Sequence, residues 1–374
     1  MTRIKFTDDF KEQPAIIRVM GLGGAGGNAV NRMIEADVSQ VEYYAANTDA
    51  QALRRHLAPV RIQMGESLTK GLGVGGNPTL GRQAAEESEH RLQEVLSGAD
   101  MVFLTAGMGG GTGTGSAPIV AKIAKNLKPT PLVVAVVTRP FQFEGLVRTQ
   151  QANRGIDELR PFVDTLLVIP NDRLFEIIDE KTPTLEAYRV ADDVLRQAMQ
   201  AISDVITTHG LVNVDFADVK SIMTNSGEAL MGMGTGLGGD RAVTAARQAV
   251  ESPLLENISI DGAKGVLVNI TGNKNVTMFE VREVMDFIGA STSPQAHVFY
   301  GQVFDESLED KLKVTVMATG FPTKTIKKGL EVGTTQKKEP ALSGVPGNPS
   351  SQKSLIDEDL RRPAYLRLRN RKLK

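Results

Sequence analysis

The chain has no cysteine and no tryptophan, and it carries four histidines and 5% aromatic residues over 374 positions. Without cysteine there is no disulfide, no thiol nucleophile and no thiolate metal site. Four histidines leave little material for a histidine-based metal centre, and only His209 stands near a motif. Long hydrophobic runs are also missing. The most apolar stretch, residues 132–137, is far shorter than the roughly 20 residues that cross a bilayer. Residues 1–13 are polar and include acids, unlike a signal peptide, so the expected location is the cytoplasm. Neither sign of charge dominates: 43 basic against 44 acidic side chains give a net charge of −1, and no specific nucleic-acid partner is expected.

Glycine, by contrast, is abundant, with 37 residues. The longest cluster, Gly107-Met108-Gly109-Gly110-Gly111-Thr112-Gly113-Thr114-Gly115, follows an apolar strand candidate at residues 101–104 and leads into a helix from about residue 119. Strand, glycine run and helix start together make an anion site. Successive backbone N–H groups converge on one phosphate, and the helix N-terminus adds its orphan donors and partial positive charge. A second cluster, Gly21-Leu22-Gly23-Gly24-Ala25-Gly26-Gly27-Asn28, follows a strand at residues 16–20 and opens a helix to about residue 36. A third, Gly71-Leu72-Gly73-Val74-Gly75-Gly76, precedes an amphipathic helix near residues 81–96.

Gly21, Gly23 and Gly26 fit the dinucleotide fingerprint G-x-G-x-x-G, so an NAD-dependent oxidoreductase is the competing reading. A dinucleotide fold needs one glycine turn for its pyrophosphate. Three glycine turns after successive strands suggest a phosphate chain surrounded on several sides, as a triphosphate would be. No G-x-x-x-x-G-K-[S/T] is present, so charge balance would come from backbone N–H groups, helix dipoles and a metal such as Mg²⁺.

Further along, Glu144 and Arg148 stand four residues apart after a strand at residues 132–138, and Asn171 follows a strand at residues 165–170. Both lie where open α/β sheets bind ligands. The longest helix is expected at residues 185–208, with Gly210 as its stop. On it Tyr188 and Asp192 sit four apart, and spacing alone reads them as core and solvated surface. Asp215 and Asp218 read as the cap and first-turn acid of a helix expected to run to residue 232. These acids lie beyond the far end of the long helix, and no obvious base to activate water stands on the pocket side. Residues 232–239 are expected to form a plain connection, followed by a helix at 240–252, a strand at 265–271, a helix at 277–289, and strands at 297–303 and 312–318.

The seven-residue loop Gly109-Gly110-Gly111-Thr112-Gly113-Thr114-Gly115 resembles the signature of the tubulin/FtsZ superfamily, GTPases that polymerise, and the chain over residues 14–320 resembles its FtsZ family of bacterial cell-division proteins. The resemblance implies a GTPase that binds GTP/GDP with Mg²⁺ and assembles head-to-tail at the mid-cell division site. It implies that Gly23, Gly24, Ala25, Gly26, Gly27 and Asn28 lie on phosphates and sugar, with Gly109 to Thr114 cradling the β and γ phosphates. Gly75 and Gly76 would respond to the γ phosphate. Glu144 and Arg148 would touch ribose and phosphates, Asn171 would reach the guanine or the ribose, and Tyr188 and Asp192 would recognise guanine. It further implies that Asp215 and Asp218, supported by Asn213, enter the next subunit's pocket and polarise the attacking water. Near the end, Pro363-Ala364-Tyr365-Leu366-Arg367 resembles the family's docking peptide for membrane tethers and regulators, which makes membrane contact indirect. Here Arg361-Arg362 separate Asp359-Leu360 from that proline, where the family usually has them adjacent.

The expected fold class is α/β. A Rossmann-like parallel-sheet GTPase domain (residues 14–184) follows an N-terminal extension (1–13). A central helix (185–210) joins it to a second, smaller α/β domain (211–322). A compositionally disordered linker (323–354) and a recognition peptide with a basic tail (355–374) complete the chain.

Overall fold

The computed structural model describes residues 14–38, 40–207, 215–255 and 260–321. Asn213, the linker and the C-terminal peptide lie outside these residues.

The first part of the chain alternates strand and helix. It runs through β1 (Ile17–Leu22), α1 (Gly23–Glu35), β2 (Val41–Asn47), α2 (Ala50–Arg54), β3 (Val60–Gln63), α3 (Glu66–Thr69), α4 (Pro78–Glu87), α5 (Glu89–Leu96), β4 (Met101–Gly107), α6 (Thr112–Asn126), β5 (Leu132–Arg139), α7 (Leu146–Leu159) and β6 (Thr165–Pro170). After α8 (Thr184–Thr207) come α9 (Phe216–Met223), β7 (Gly227–Leu237), α10 (Arg241–Val250), β8 (Gly265–Gly272), α11 (Met278–Ala290), β9 (His297–Phe304) and β10 (Lys311–Thr319).

The strands join into one ten-stranded sheet in the order β3-β2-β1-β4-β5-β6-β7-β10-β8-β9. Neighbours from β3 to β7 pair in parallel, whereas β10 is antiparallel to both β7 and β8. Parallel strands covered by helices on both faces are buried on both, which is why they read as continuous apolar runs. In β4, Met101 and Phe103 enter one core, while Val102, Leu104 and Ala106 enter the other. The strand order reverses between β1 and β4. Open α/β sheets bind ligands in the crevice at such a switch point, beyond the carboxyl ends of the strands.

α8 is the 24-residue helix that the spacing requires. Its inner face, from Val194 and Leu195 to Ile202 and Val205, is buried in the first core. Its first turn departs from the sequence reading, because Leu185 and Tyr188 are exposed.

Other expectations are corrected. The helix expected to run to residue 232 ends at Met223, and the "plain connection" at 232–239 is mostly the 11-residue strand β7. The reason lies in Gly232, Gly234 and Gly236. A Cβ on them would come within 1.9, 2.1 and 1.9 Å of the carbonyls of Ala249, Ala245 and Arg241. The alternate glycines are a strand face on which α10 lies backbone to backbone, and they imitate a loop only in composition. The helix expected at 81–96 is two helices meeting at Ser88, and β3 is a short edge strand that the periodicity did not signal.

Candidate functional site: a cleft at the sheet's switch point

The two glycine turns that follow β1 and β4 abut. A Cβ on Gly23 would lie 3.0 Å from the Gly113 nitrogen, and one on Gly26 would lie 2.1 Å from the Thr105 carbonyl oxygen. The Gly21-x-Gly23-x-x-Gly26 spacing therefore lets α1 sit against β4. The second turn is fixed from within: the Gly109 N–H donates to Thr114 Oγ1 at 2.8 Å, and the Met108 N–H donates to the Thr138 carbonyl at 2.9 Å. The third loop closes on it, since a Cβ on Gly111 would meet Asn77 N at 2.8 Å. Thr48 Oγ1 and Thr112 Oγ1 are 2.7 Å apart, which ties the end of β2 to the start of α6.

These turns line a cleft of about 300 Å³, with Gly24, Ala25, Gly110, Gly111, Thr112 and Gly113 on its wall. At Gly24 and Gly110 an added Cβ meets nothing within 4 Å, so these backbones face open space. The cleft lies at the N-termini of α1 and α6, where unpaired N–H donors and helix dipoles favour an anion. The opposite wall comes from the segments after β5 and β6, from the start of α7 and from α8, and it carries Glu144, Arg148, Asn171, Tyr188 and Asp192. Glu144 is engaged twice, accepting from the Phe141 N–H at 3.0 Å and from Arg148 Nη1. Asn171 is buried, and its Oδ1 has no hydrogen-bond partner among the described residues. A buried amide oxygen on the cleft wall retains its capacity to accept a hydrogen bond. Burial pushes the Asp192 carboxyl up to about 6, against the opposing effects of the Arg32 charge and a hydrogen bond from Asn28.

Not every expected site residue reaches this cleft. Gly23, Gly27 and Asn28 line a neighbouring hollow behind the first turn, from which Asn28 reaches Asp192. Gly26, Gly109 and Thr114 shape the turns and do not line the cleft. Gly75 and Gly76, at φ +56° and +78°, are exposed and line neither hollow. Asp215 and Asp218 are exposed, follow the far end of α8, and do not line the cleft. Leu22, Gly107 and Met108 line it from within the glycine clusters, and Thr138, Pro140 and Ala191 line it without having been expected. Gly107, Thr138 and Pro140 stand at strand ends, so the strand-end rule alone would have found them. Among the described residues, no three His, Cys, Asp or Glu side chains come together to hold a metal.

Residues 16–179 match the tubulin/FtsZ family GTPase domain, and residues 227–322 match the FtsZ family C-terminal domain. A solved FtsZ dimer from M. jannaschii, described as empty, is 42% identical over 90% of this chain and 96% of that one, with a TM-score of 0.79. The chain belongs to the FtsZ family. A mutant FtsZ from the same organism is 45% identical over 82% of this chain and 92% of its own, again with a TM-score of 0.79. CetZ2 from Haloferax volcanii, solved as a GTPγS-bound protofilament, is 21% identical over 82% of this chain and 94% of that one, with a TM-score of 0.70, and shares the fold.

Family membership makes the chain a GTP-binding cytoskeletal protein and a GTPase. The oxidoreductase reading falls, because its fingerprint at Gly21–Gly26 lies inside the matched GTPase domain and serves the contact of α1 with β4. Among the described residues, no helix is long and apolar enough to cross a membrane.

Proposed function

We propose that the chain hydrolyses GTP only as it assembles head-to-tail into filaments, and that each active site is completed by the neighbouring subunit. The observation that carries this reading is the state of the cleft's acids. Of the acids lining it, Glu144 is held by Arg148 and the Phe141 N–H, while Asp192 lies at the α8 wall with Asn28. Neither is a free carboxylate poised to position water. Asp215 and Asp218 are exposed, but they follow the other end of α8. The fifteen residue-to-residue steps from Asp192 to Thr207 alone span about 22 Å of helix, so a chain's own acids do not serve its own cleft. Phosphoryl transfer is largely positioning and charge stabilisation, so a cleft without a water-positioning group turns over slowly.

In this reading the backbone N–H groups of Gly24, Ala25 and Gly110 to Gly113 hold the phosphates. Gly75 and Gly76 close over the γ phosphate, while Glu144 and Arg148 fix ribose and phosphate. Asn171 and Asp192 accept from guanine N–H groups, and Tyr188 lies against the base. The neighbour's Asp215 and Asp218, with Asn213, orient the attacking water. The cleft has no lysine, and Mg²⁺ arriving with GTP would take its ligands from phosphate oxygens and water, a mode this ion favours. It would neutralise phosphate charge.

Exposed apolar residues support two polymer faces. Phe143, Leu146, Val147 and Phe175 are exposed near the cleft, and Met278 and Phe279 begin α11 with 68% and 77% of their surface exposed. A contact between two different faces propagates an open filament. The same reading assigns the filament to the bacterial division ring at mid-cell, tethered to the membrane through Pro363-Ala364-Tyr365-Leu366-Arg367. The test is phosphate release from GTP as protein concentration rises, with ATP as control. The expected result is near-zero turnover below a threshold and a linear rise above it, for GTP alone. Turnover proportional to protein from the lowest concentration would mean a self-sufficient monomer, and filaments without phosphate release would mean that GTP is only a structural ligand.

A further inference from the structure

A second hollow, of about 330 Å³, is built on β3, the edge strand of the sheet. It shares no lining residue with the nucleotide cleft. Three arginines from three different elements line it: Arg54 from α2, Arg61 from β3 and Arg91 from α5. Gln63 adds an amide, and Glu66 is the one acid, so the lining carries three cations against one anion. Among the described residues none of these arginines takes part in an ion pair, whereas Arg18, Arg82, Arg148, Arg196 and Arg241 all do. The hydrogen bonds of Arg61 are long ones, 3.5 Å, to the carbonyls of Leu53 and His56.

Three guanidinium groups and one carboxylate round a single concavity leave it a net positive charge, which an anion offsets. Their planar forks match the paired oxygens of a phosphate. The volume suits a small ligand. The site also has a route to the rest of the molecule: a Cβ on Gly71, at the root of the third glycine loop, would meet Ala50 at 2.9 Å and the Gln63 amide at 3.3 Å, both residues of its wall.

We propose that this arginine hollow binds a phosphate group, carried by a free polyphosphate compound or by the headgroup of an anionic lipid. The site is independent of how GTP is hydrolysed.

The experiment is calorimetric titration of tripolyphosphate into the full chain saturated with GDP, so that the nucleotide cleft is already filled. In parallel, the chain is floated with phosphatidylglycerol vesicles and with phosphatidylcholine vesicles. The expected result is one saturable event, weakened about tenfold or more in Arg61→Glu/Arg91→Glu, as loss of charge-assisted hydrogen bonds requires. Glu66→Gln removes the opposing acid and tightens binding several-fold, an opposite effect that damaged folding would not produce. Unchanged GDP affinity in each variant reports an intact fold. Tripolyphosphate binding without flotation identifies a free ligand, and flotation with phosphatidylglycerol alone, lost in the double variant, identifies a headgroup. The absence of a saturable event with either probe, or an event that the double variant leaves untouched, would overturn the proposal.

Discussion

Asp192→Asn tests the proposed guanine-reading role of the cleft's α8 wall by its pH dependence. The Asp192 carboxyl is raised from 3.8 to about 6, chiefly by burial. Its folded pKa lies above its unfolded one, so its contribution to stability is fully present below about pH 4 and is lost as the pH rises through about 6. A shift of about two units corresponds to at most ~3 kcal/mol. The asparagine variant carries no such penalty. In urea titrations without nucleotide it should match the parent near pH 4 and exceed it at pH 8 by up to ~3 kcal/mol. Nucleotide binding should show the opposite preference. If the ionised carboxylate accepts from guanine, the parent loses about tenfold in GDP affinity between pH 8 and pH 5, and the variant does not. The nucleotide's own phosphates titrate in the same region, so the ratio of parent to variant affinity is the quantity to measure. A ratio independent of pH, or a variant that binds as tightly as the parent at pH 8, would refute the assignment of Asp192.

Gly234→Ala places a methyl 2.1 Å from the Ala245 carbonyl oxygen and 2.6 Å from the Ala249 nitrogen, so α10 must move; the expected loss is about 3 kcal/mol, read as a lower urea midpoint, and a loss below about 1 kcal/mol would deny the close approach. Asp218→Ala should leave GDP affinity within about twofold of the parent while lowering turnover at least about 100-fold, a difference that assigns the residue to hydrolysis and not to nucleotide binding. In the proposed pocket Arg148→Ala would remove a contact to the nucleotide, and it frees Glu144 from its arginine partner; GTP affinity should fall about tenfold or more by equilibrium dialysis, and Glu144→Gln/Arg148→Ala should recover part of it.

The parallel half of the fold was legible because two signals coincide there. Fully buried strands give unbroken apolar runs, as in β4 and β5, and each ends in a glycine turn or a polar residue at the ligand edge. α8 was legible to within a residue at each end from its period of 3.6, although its exposed first turn was not. β7 was hidden because glycine signals a turn in isolation, and only the position of α10 reveals that Gly232, Gly234 and Gly236 form a face. β3 was hidden by its length: in Val60-Arg61-Ile62-Gln63 only Ile62 is buried. At the cleft, the glycine turns and Asn171 follow from elementary rules. Tyr188 and Asp192 do not, since helical spacing reads them as core and surface, and the family resemblance alone singled them out. Thr138 stands near the end of β5, where the strand-end rule points, whereas Ala191 offers only a small side chain and announces no ligand.

The claim of a shared active site is tested most directly by mixing two inactive chains. Gly110→Leu fills the cleft from a position where an added Cβ meets nothing within 4 Å, so it blocks the nucleotide without disturbing the fold. Asp218→Ala keeps the cleft and lacks the acid. Each alone should release almost no phosphate from GTP. Mixed, they form junctions in which an open cleft meets an intact acidic segment, and turnover should return, greatest near equal proportions. A mixture no more active than its parts, at concentrations where the parent is fully active, would contradict hydrolysis completed by a neighbour.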